Sequence, residues 1–435
     1  MKDGFLGNID FILLPCVLIL VATGVAFIYS SGVNSAGVLV TNEYLKQIIW
    51  GGIGLLFMLF FAFYDYRRFL RPAIYFYFVL IFFLVYTRIF GRYVNGARSW
   101  IGLGDFGIQP SEFGKVIFIL TLARYLEKST DEKPLKRLLI AMSIFALPAG
   151  LILVQPDLGT ASVYIPIFFI MCFMAGLPNR YVLFLLCSGS ATIIFTVLPV
   201  WNEFIAHNSV LLITALSNFK LKGILIIASG SIALMSAVFR RYFHGPRYYY
   251  WISYAAAIIA IGLVASSGAG KVLKEYQIRR LIVFMDTSAD PRNSGWHIIQ
   301  SKIAIGAGGL MGRSFLHGTQ SHYRFLPQQS TDFIFSILSE ELGFLGGILV
   351  FGLYMIIMFR TIHIIKIAST KFGTYIASGI LGMFMIHFFI NVGMVMGIMP
   401  ITGIPLLFLS YGGSSLLTAI SCIGLLMSIN YRSRR

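Results

Sequence analysis

The stretch IDFILLPCVLILVATGVAFIYS, residues 9–30, decides the fold class. It is an apolar run long enough to cross a lipid bilayer as one helix, which takes about 20 residues. The run is too long for the apolar part of a secretory signal peptide, and it lacks a small-residue cleavage site. We therefore expect no cleavable signal peptide and interpret this run as the first membrane anchor.

The whole chain has the composition of a membrane protein. Of its 435 residues, 57% are hydrophobic and 12% are charged, and the mean hydropathy is +0.82. Soluble domains carry about 25% charged residues. The net charge of +17 could indicate nucleic-acid binding, but cytoplasmic lysines and arginines of a membrane protein explain it, so we expect no nucleic-acid partner. The cysteines all lie in apolar runs, which predicts free thiols: Cys16, Cys172, Cys187 and Cys422.

The apolar runs predict an all-α polytopic membrane protein of about 10–12 transmembrane helices. The run at 111–127 is unusual because it contains Glu112 and Lys115, and the stretch 203–220 is expected to be a loop. The candidate spans are 9–30, 47–64, 73–90, 111–127, 138–155, 158–177, 181–200, 222–239, 249–266, 333–359, 372–397 and 404–429.

The distribution of basic residues predicts the orientation. If the N-terminus lies in the cytoplasm, most loop lysines and arginines face the cytoplasm, as the positive-inside rule requires. Both termini are then cytoplasmic. The basic residues of the short outer loops are few: Lys46, Arg92, Arg98, Lys220 and Lys222.

A long outer segment, residues 267–332, departs from this pattern. Long loops can cross the membrane despite their charge. A positive outer surface beside a bilayer suits an anionic lipid headgroup or a diphosphate, although a merely solvated loop is the ordinary alternative. Within the segment, residues 297–306 are predicted to form an amphipathic helix on the membrane face. The basic residues of the whole outer segment 267–332 are Lys271, Lys274, Arg279, Arg280, Arg292, Lys302, Arg313 and Arg324.

One acid of this outer segment is a candidate general base. Asp290 precedes Pro291, which disfavours helix at Asp290 and favours an extended backbone. A carboxylate on such a loop, with cations nearby, can accept a proton. The ordinary alternative is a turn or cap carboxylate, and the same applies to Asp286. His297 is more often a structural, hydrogen-bonding histidine than a base.

Charged residues within apolar runs are costly and are therefore functional candidates. Glu112 and Lys115 have i, i+3 spacing and share one helical face, so a mutual ion pair is the structural alternative to a functional role. One of Glu340 and Glu341, deeper in a later span, is expected to pair with a basic residue.

Two further acids are expected to begin helices. Asp157 follows Pro156 at the start of a span, where the helix dipole favours an acid. Thr331 or Asp332 is expected to cap the span that follows.

Five motifs, in order along nearly the whole chain, resemble the SEDS family of bacterial shape, elongation, division and sporulation proteins. GWH and GTQS resemble the elongation member of the family, whereas the division member typically has glutamine at the position of His297. The motifs are NGARSWIGLGDFGIQPSEFGK (95–115), QPDLGTA (155–161), DPRNSGWHIIQSKIAIGAGG (290–309), GTQSHYRFLPQQSTDFIFSILSEELGFLGG (318–347) and NVGMVMGIMPITGIPLLFLSYGGSS (391–415).

The resemblance implies a peptidoglycan glycosyltransferase of the bacterial cytoplasmic (inner) membrane. Such an enzyme polymerises lipid II on the outer face, beside a class B penicillin-binding protein that crosslinks the strands and with other membrane proteins of the elongation complex. The family's essential aspartate matches Asp290, its conserved arginine matches most nearly Arg98, and its fourth-span glutamate and lysine match Glu112 and Lys115.

The sequence also departs from the family. Gln328 replaces the usual acid of the FLPE motif, which weakens any role for that position. Family members generally have ten spans, and the surplus here suggests an inserted hairpin at 203–240. Apart from that insertion, we expect a single membrane domain over residues 1–435, whose outer loop at 267–332 bears the active site.

The implied reaction fits these residues. Asp290 would deprotonate an attacking sugar hydroxyl, and cations would stabilise the departing diphosphate. No protein ligand for a metal is predicted, and a divalent cation, Mg²⁺ or Mn²⁺, would be bridged largely by diphosphate oxygens. Pro400, Gly403, Pro405, Gly412 and Gly413 predict broken or closely packed helices in the last pair of spans. The predicted substrate-binding residues are Arg98, Glu112, Lys115, Arg279, Arg280, His297 and Lys302.

Two other functions remain open on the sequence alone. A lipid II flippase would also have many spans, buried charge and broken helices. It should need charges along a path through the membrane, whereas a polymerase needs Asp290 on the outer loop. A scaffold that only binds and activates the transpeptidase is compatible with the basic outer loop and its amphipathic helix.

Overall fold

In the computed structural model the protein is a set of long helices with one small hairpin. The structure describes residues 10–94, 96–102, 107–202, 211–243, 246–272, 277, 280, 283–284, 294–326 and 328–433. The helices are α1 (Leu13–Gly32), α2 (Glu43–Phe63), α3 (Ala73–Phe90), α4 (Pro110–Lys128), α5 (Pro134–Val154), α6 (Leu158–Met174), α7 (Asn179–Trp201), α8 (Leu211–Ser217), α9 (Phe219–Tyr242), α10 (Tyr248–Val272), α11 (Ser294–Gly308), α12 (Thr319–His322), α13 (Ile334–Ile367), α14 (Lys371–Val395) and α15 (Gly413–Ser433). A 3₁₀ helix covers Tyr66–Leu70, and strands β1 (Arg92–Val94) and β2 (Ala97–Trp100) pair antiparallel.

Each of the predicted spans contains a helix, so the predicted fold class is confirmed. Ten helices of the described residues are long and apolar enough to cross a membrane. The remaining predicted spans correspond to α4, which carries Glu112 and Lys115 near its start, and to α6, which has only 17 residues. The helix predicted at 297–306 is present as α11. All four cysteines are free, as predicted.

Two local predictions were wrong. The loop expected at 203–220 is helical where the structure describes it from residue 211 onward, because LLITALS is a nearly continuous apolar run that favours a helix. Neither Thr331 nor Asp332 caps α13, which follows Phe333 without a side-chain cap bond. The Asp332 carbonyl instead accepts a hydrogen bond from Asn391 Nδ2 at 2.9 Å.

The described chain forms two compact units, of which the larger comprises Met1–Gly176 and Trp296–Arg435. Among the described helices of this unit α15 is the most deeply buried, because residues 414–430 are all buried. No charged residue occurs in α15 before Arg432, so nearly the whole helix can be buried. Gly424 of α15 lies so close to α2 that a Cβ there would be 2.9 Å from Met58 Cα. The small residue therefore permits a close helix–helix approach.

The smaller unit comprises Leu177–Gly295 and contains α7 to α10. The α10 helix is fastened to both of its long neighbours. Ser253 Oγ donates to a carbonyl of α9 at 2.8 Å, and the Tyr254 hydroxyl donates to the Arg180 carbonyl of α7 at 2.7 Å. The hairpin insertion suggested at 203–240 falls within this unit and stays a prediction.

The α13 helix is broken at Gly343, which has φ 65° and ψ −158°. Only glycine adopts such a backbone readily. The break frees main-chain groups, and the chain just after α11 satisfies them. The Phe344 amide donates to the Gly309 carbonyl at 2.9 Å, and the Arg313 amide donates to the Glu340 carbonyl at 3.0 Å. The segment after α11 is thereby fixed against the break.

Candidate active site

The acid predicted to act as general base lies outside the described residues. Asp290 and Arg279 both fall there, as does Asp286. The role given to Asp290 therefore stays a prediction. The other predicted site residues are described.

Glu112 and Lys115 form a buried ion pair at the start of α4. Pro110 opens the helix, and Glu112 lies in its first turn, where the helix dipole stabilises a negative charge. Lys115 Nζ lies 2.7 Å from Glu112 Oε1, and the two side chains are only 1% and 6% exposed. The predicted ion pair is confirmed, and it lies in the interior of the larger unit.

His387 is a third member of this group, and the sequence analysis missed it. His387 Nε2 lies 3.1 Å from Lys115 Nζ, and its Nδ1 lies 2.9 Å from the Pro405 carbonyl oxygen. One turn further along α14, Asn391 Nδ2 donates to the Ile404 carbonyl at 2.8 Å. A histidine and an asparagine within an apolar run were a usable signal, because polar residues inside membrane helices are functional candidates.

The chain between α14 and α15 has irregular backbone, as its prolines and glycines predicted. The span expected at 404–429 becomes helical only at Gly413. We call residues 396–412 the irregular segment. Main-chain groups away from water need partners, and side chains supply them here. Gln47 Nε2 donates to the Ser410 carbonyl at 3.0 Å, and the Tyr354 hydroxyl donates to the Leu407 carbonyl.

The starts of α4, α6 and α15 meet beside the buried ion pair. Asp157 caps α6, as predicted, by accepting from the Thr160 amide at 3.0 Å. The other Asp157 oxygen accepts from Gln109 Nε2 at 2.7 Å, which connects α6 to α4. The Gln109 amide donates to Ser414 Oγ of α15 at 3.1 Å.

This junction has unused hydrogen-bonding capacity. Buried polar atoms in proteins are nearly always hydrogen-bonded. The side-chain oxygens Ser111 Oγ, Glu112 Oε2, Asn391 Oδ1 and Thr402 Oγ1 are buried and have no hydrogen-bond partner among the described residues. The group could therefore contact a polar ligand or water in addition to its internal bonds.

The remaining predicted site residues lie in three places. Arg98 is exposed on β2, opposite Tyr93, in the hairpin that precedes α4. His297 and Lys302 lie on α11, with His297 half-buried and Lys302 exposed. A Cβ at Gly397 would lie 2.7 Å from Lys302 Nζ, which places this cation beside the irregular segment.

Arg280 is half-buried and belongs to the smaller unit. The contacts described for Arg98 and Lys302 do not include the Glu112–Lys115 pair. The structure brings Glu112 and Lys115 together with His387.

The pairing expected for Glu340 or Glu341 with a basic residue was wrong among the described residues. Both carboxylates are fully buried, and neutral groups donate to them. Ser30 Oγ donates to Glu341 Oε1, the Leu316 amide donates to Glu341 Oε2 at 3.1 Å, and Thr319 Oγ1 donates to Glu340 Oε1 at 3.0 Å. Main-chain bonds between the chain after α11 and the residues around the break explain the difference, because they hold Leu316 and Thr319 beside these side chains.

The helices, the buried polar group and the irregular segment define an all-α polytopic membrane protein with a polar centre. A family model described as cell cycle protein, covering FtsW, RodA and SpoVE, matches residues 11–220 and 228–435. The chain belongs to this family, and the SEDS resemblance found in the sequence is confirmed.

Several relatives cover nearly the whole chain. The peptidoglycan glycosyltransferase RodA of Treponema pallidum is 53% identical over 99% of this chain and 100% of that protein. Stage V sporulation protein E of Bacillus subtilis is 32% identical over 98% of each chain. The peptidoglycan glycosyltransferase MrdB of Escherichia coli is 32% identical over 82% of this chain and 77% of that protein.

Solved structures share the fold. A chain from a structure titled as the coordination of polymerization and crosslinking by a peptidoglycan synthase complex matches with a TM-score of 0.68 at 24% identity, covering 98% of both chains. The crystal structure of the Rod shape determining protein RodA of Thermus thermophilus matches with a TM-score of 0.59 at 23% identity, covering 98% of this chain and 97% of that one.

Proposed function

We propose that this chain is a peptidoglycan glycosyltransferase that polymerises lipid II into glycan strands during cell elongation. The observation that carries the proposal is the 53% identity, over 99% of the chain, to a protein named peptidoglycan glycosyltransferase RodA. The protein is a multi-pass protein of the bacterial inner membrane.

The reaction is a single displacement. The 4-hydroxyl of the acceptor's terminal GlcNAc attacks the anomeric carbon of the donor sugar. A carbon–oxygen bond forms there, the bond to the diphosphate breaks, and undecaprenyl diphosphate departs with the bonding electrons. The hydroxyl proton passes to a base. One displacement inverts the anomeric centre, so a second carboxylate is not needed as a nucleophile.

Asp290 is the proposed base. A sugar hydroxyl is a weak nucleophile, and a positioned general base contributes about 10²–10⁴-fold in rate. Support comes from the resemblance of DPRNSGWH (290–297) to the family motif and from the position of α11, which begins four residues after Asp290. The Ser301 hydroxyl of α11 donates to the Val395 carbonyl at 2.6 Å, so the chain that follows Asp290 is fastened to the end of α14.

Cations would stabilise the departing diphosphate. Arg98 and Lys302 are exposed and can reach an anionic headgroup as they stand. Lys115 is 1% exposed, so it would stabilise the diphosphate through its charge from within the protein and not through a surface contact. Glu112 holds Lys115 in that place. Arg279, Arg280 and His297 complete the proposed binding residues.

A divalent cation remains a proposal, and the described residues do not fit a protein-built metal site. No group of three or more His, Cys, Asp or Glu side chains able to hold a metal occurs among them. A metal would therefore be held mainly by the substrate diphosphate.

The proposed orientation places both termini in the cytoplasm and the chain between α10 and α13 outside the cell. A class B penicillin-binding protein would crosslink the strands there, with other elongation-complex membrane proteins as further partners. Labelling tests the orientation. In a cysteine-free background, Ser294→Cys should react with a membrane-impermeant thiol reagent added outside the cell. Labelling only from the cytoplasmic side would contradict the proposal.

Strand synthesis tests the function. Purified protein with its transpeptidase partner is incubated with lipid II, and glycan strands are resolved by gel electrophoresis. We expect strands from the natural protein and from Asp131→Ala, an exposed acid in a cytoplasmic turn, but none from Asp290→Ala. No strands from the natural protein would refute the enzyme, and strands from Asp290→Ala would refute the base.

The buried Glu112–Lys115–His387 group is the one observation that favours a lipid II flippase as second candidate, because charge within the bundle suits a translocation path. Vesicles with fluorescent lipid II distinguish the two. A flippase would move lipid II between leaflets in the Asp290→Ala protein while making no strands. The enzyme proposal predicts strand formation without measurable translocation.

A further inference from the structure

We propose that His387 is a positioning residue that, as a neutral imidazole, fixes the Lys115 ammonium relative to the irregular segment. The effect on rate rests on the proposed glycosyltransferase function, whereas the state of the imidazole does not. Nothing in the sequence motifs assigns a role to this side chain.

The two contacts of His387 determine where its proton lies. The Pro405 carbonyl oxygen, 2.9 Å from Nδ1, can only accept a hydrogen bond, so Nδ1 carries a hydrogen and donates it. Lys115 Nζ, 3.1 Å from Nε2, is an ammonium and can only donate, so Nε2 must offer its lone pair. An imidazolium has no lone pair and could not make the second bond. His387 is therefore neutral, with its hydrogen on Nδ1.

These bonds join two helices and the irregular segment. Lys115 of α4 donates to Glu112 Oε1 and to His387 Nε2, and His387 of α14 passes the connection to the carbonyl of Pro405. As whole residues, Glu112, Lys115 and His387 are each at most 5% exposed. Asn391 holds the neighbouring Ile404 carbonyl from the same helix. The cation therefore has one defined position relative to the chain at 404–405.

This arrangement leaves Lys115 with an unused hydrogen-bond donor. Glu112 supplies one acceptor and His387 supplies an uncharged second one, so the ammonium keeps a third hydrogen for another partner. Without His387, Lys115 would be free to turn wholly toward Glu112. We expect removal of the His387 imidazole to lower the rate of strand formation, because the Lys115 ammonium is then misplaced even where the helices remain folded.

Two substitutions separate the hydrogen bonds of His387 from the space that its side chain fills. In His387→Gln, the amide nitrogen can donate to the Pro405 carbonyl and the amide oxygen can accept from Lys115. In His387→Leu, neither bond is possible. Loss of a hydrogen bond to a charged group predicts about a tenfold or larger fall in kcat for the leucine variant, with the glutamine variant retaining most of the rate. His363→Leu, an exposed histidine of α13, is the matched control and should be unchanged.

The rates decide the positioning role. Equal loss in His387→Gln and His387→Leu would overturn it, as would a leucine variant that polymerises lipid II at the natural rate. A loss in the leucine variant that the glutamine variant restores supports it. Thermal unfolding midpoints in detergent are measured alongside, and a fall in kcat that exactly tracks a fall in midpoint across both variants would also overturn it.

Nitrogen-15 magnetic resonance of histidine-labelled protein tests the imidazole without any substrate. The signals absent from His387→Gln belong to His387. We expect a protonated Nδ1 and a bare Nε2 at any pH between about 6 and 8, the range in which an ordinary histidine titrates. An Nε2–H tautomer or an imidazolium at pH 7 would refute the proposal. If the natural protein makes no strands, the proposed function fails, but this spectrum still decides the inference.

Discussion

Two groups of buried carboxylates lie in the larger helical unit and differ in what surrounds them. Glu112 faces an ammonium at 2.7 Å, and a neutral imidazole lies behind that ammonium. Glu340 and Glu341 receive hydrogen bonds from hydroxyls and main-chain amides, and no cation pairs with them among the described residues. The first group pairs its charge with a cation, whereas the second receives only neutral donors and leaves Glu340 Oε2 without a partner among the described residues.

The difference follows from the local backbone. Glu112 lies on an unbroken helix, where a partner one turn away reaches it easily. Glu340 and Glu341 precede the break at Gly343, where the chain that follows α11 is bonded and supplies its own donors. The first group therefore keeps a cation inside the larger unit. The second group fastens the loop that follows α11 and has no comparable cation to offer.

Removing the cation from the first group should have the largest effect on stability. In Lys115→Met the Glu112 carboxylate stays buried without its partner, which is expected to cost about 3–5 kcal/mol of unfolding free energy. Denaturant unfolding in detergent measures it. The matched control is Lys136→Met, which removes an equally short but exposed pair with Glu132 and should cause no measurable change. Similar losses in both variants would show that burial of the Lys115 pair does not matter.

Crowding the second group should have an intermediate effect. A methyl at Gly318 would lie 2.9 Å from Glu340 Oε2 and 3.2 Å from Glu341 Oε1. Gly318→Ala is therefore expected to cost about 1–3 kcal/mol of unfolding free energy, as overpacked sites do. Gly306→Ala is the control, because nothing lies within 4 Å of its added methyl and α11 gains helix propensity. An unchanged Gly318→Ala protein would mean that the loop is not held over these carboxylates.

The smallest of the three effects on stability is expected when a carboxylate of the second group loses its charge. Glu340→Gln keeps an acceptor for Thr319 and loses no ion pair among the described contacts, so we expect less than about 1 kcal/mol. Glu112→Gln removes the partner of Lys115 and should cost clearly more. Thermal unfolding of both variants gives the order directly. The reverse order would contradict the distinction between the two groups.

The helices of this fold followed from the sequence because each depends on a local apolar run. The pairing of Glu112 with Lys115 also followed, since it lies within one turn of one helix. The irregular segment was predicted from its prolines and glycines, but the true start of α15 at Gly413 was not. Residues 404–412 are as apolar as a helix, and their conformation depends on bonds from distant side chains such as Gln47.

Contacts across the chain were the part that the sequence could not supply. His387 is 272 positions from Lys115, and a single sequence contains nothing that pairs them. The donors to Glu341 could not be predicted for the same reason, because Ser30 and Leu316 reach it from separate parts of the chain. The expectation of a basic partner rested on charge alone, whereas the donors that the structure supplies are uncharged.

The central claim is that an acid of the outer loop performs the chemistry while the buried carboxylates hold the structure around it. Asp290→Asn keeps the size of the side chain but removes its ability to accept the proton. The initial rate of strand formation from lipid II and the thermal unfolding midpoint are measured on the same protein. We expect the rate to fall by about 10²-fold or more and the midpoint to stay unchanged. Strand formation by Asp290→Asn at the natural rate would contradict the account.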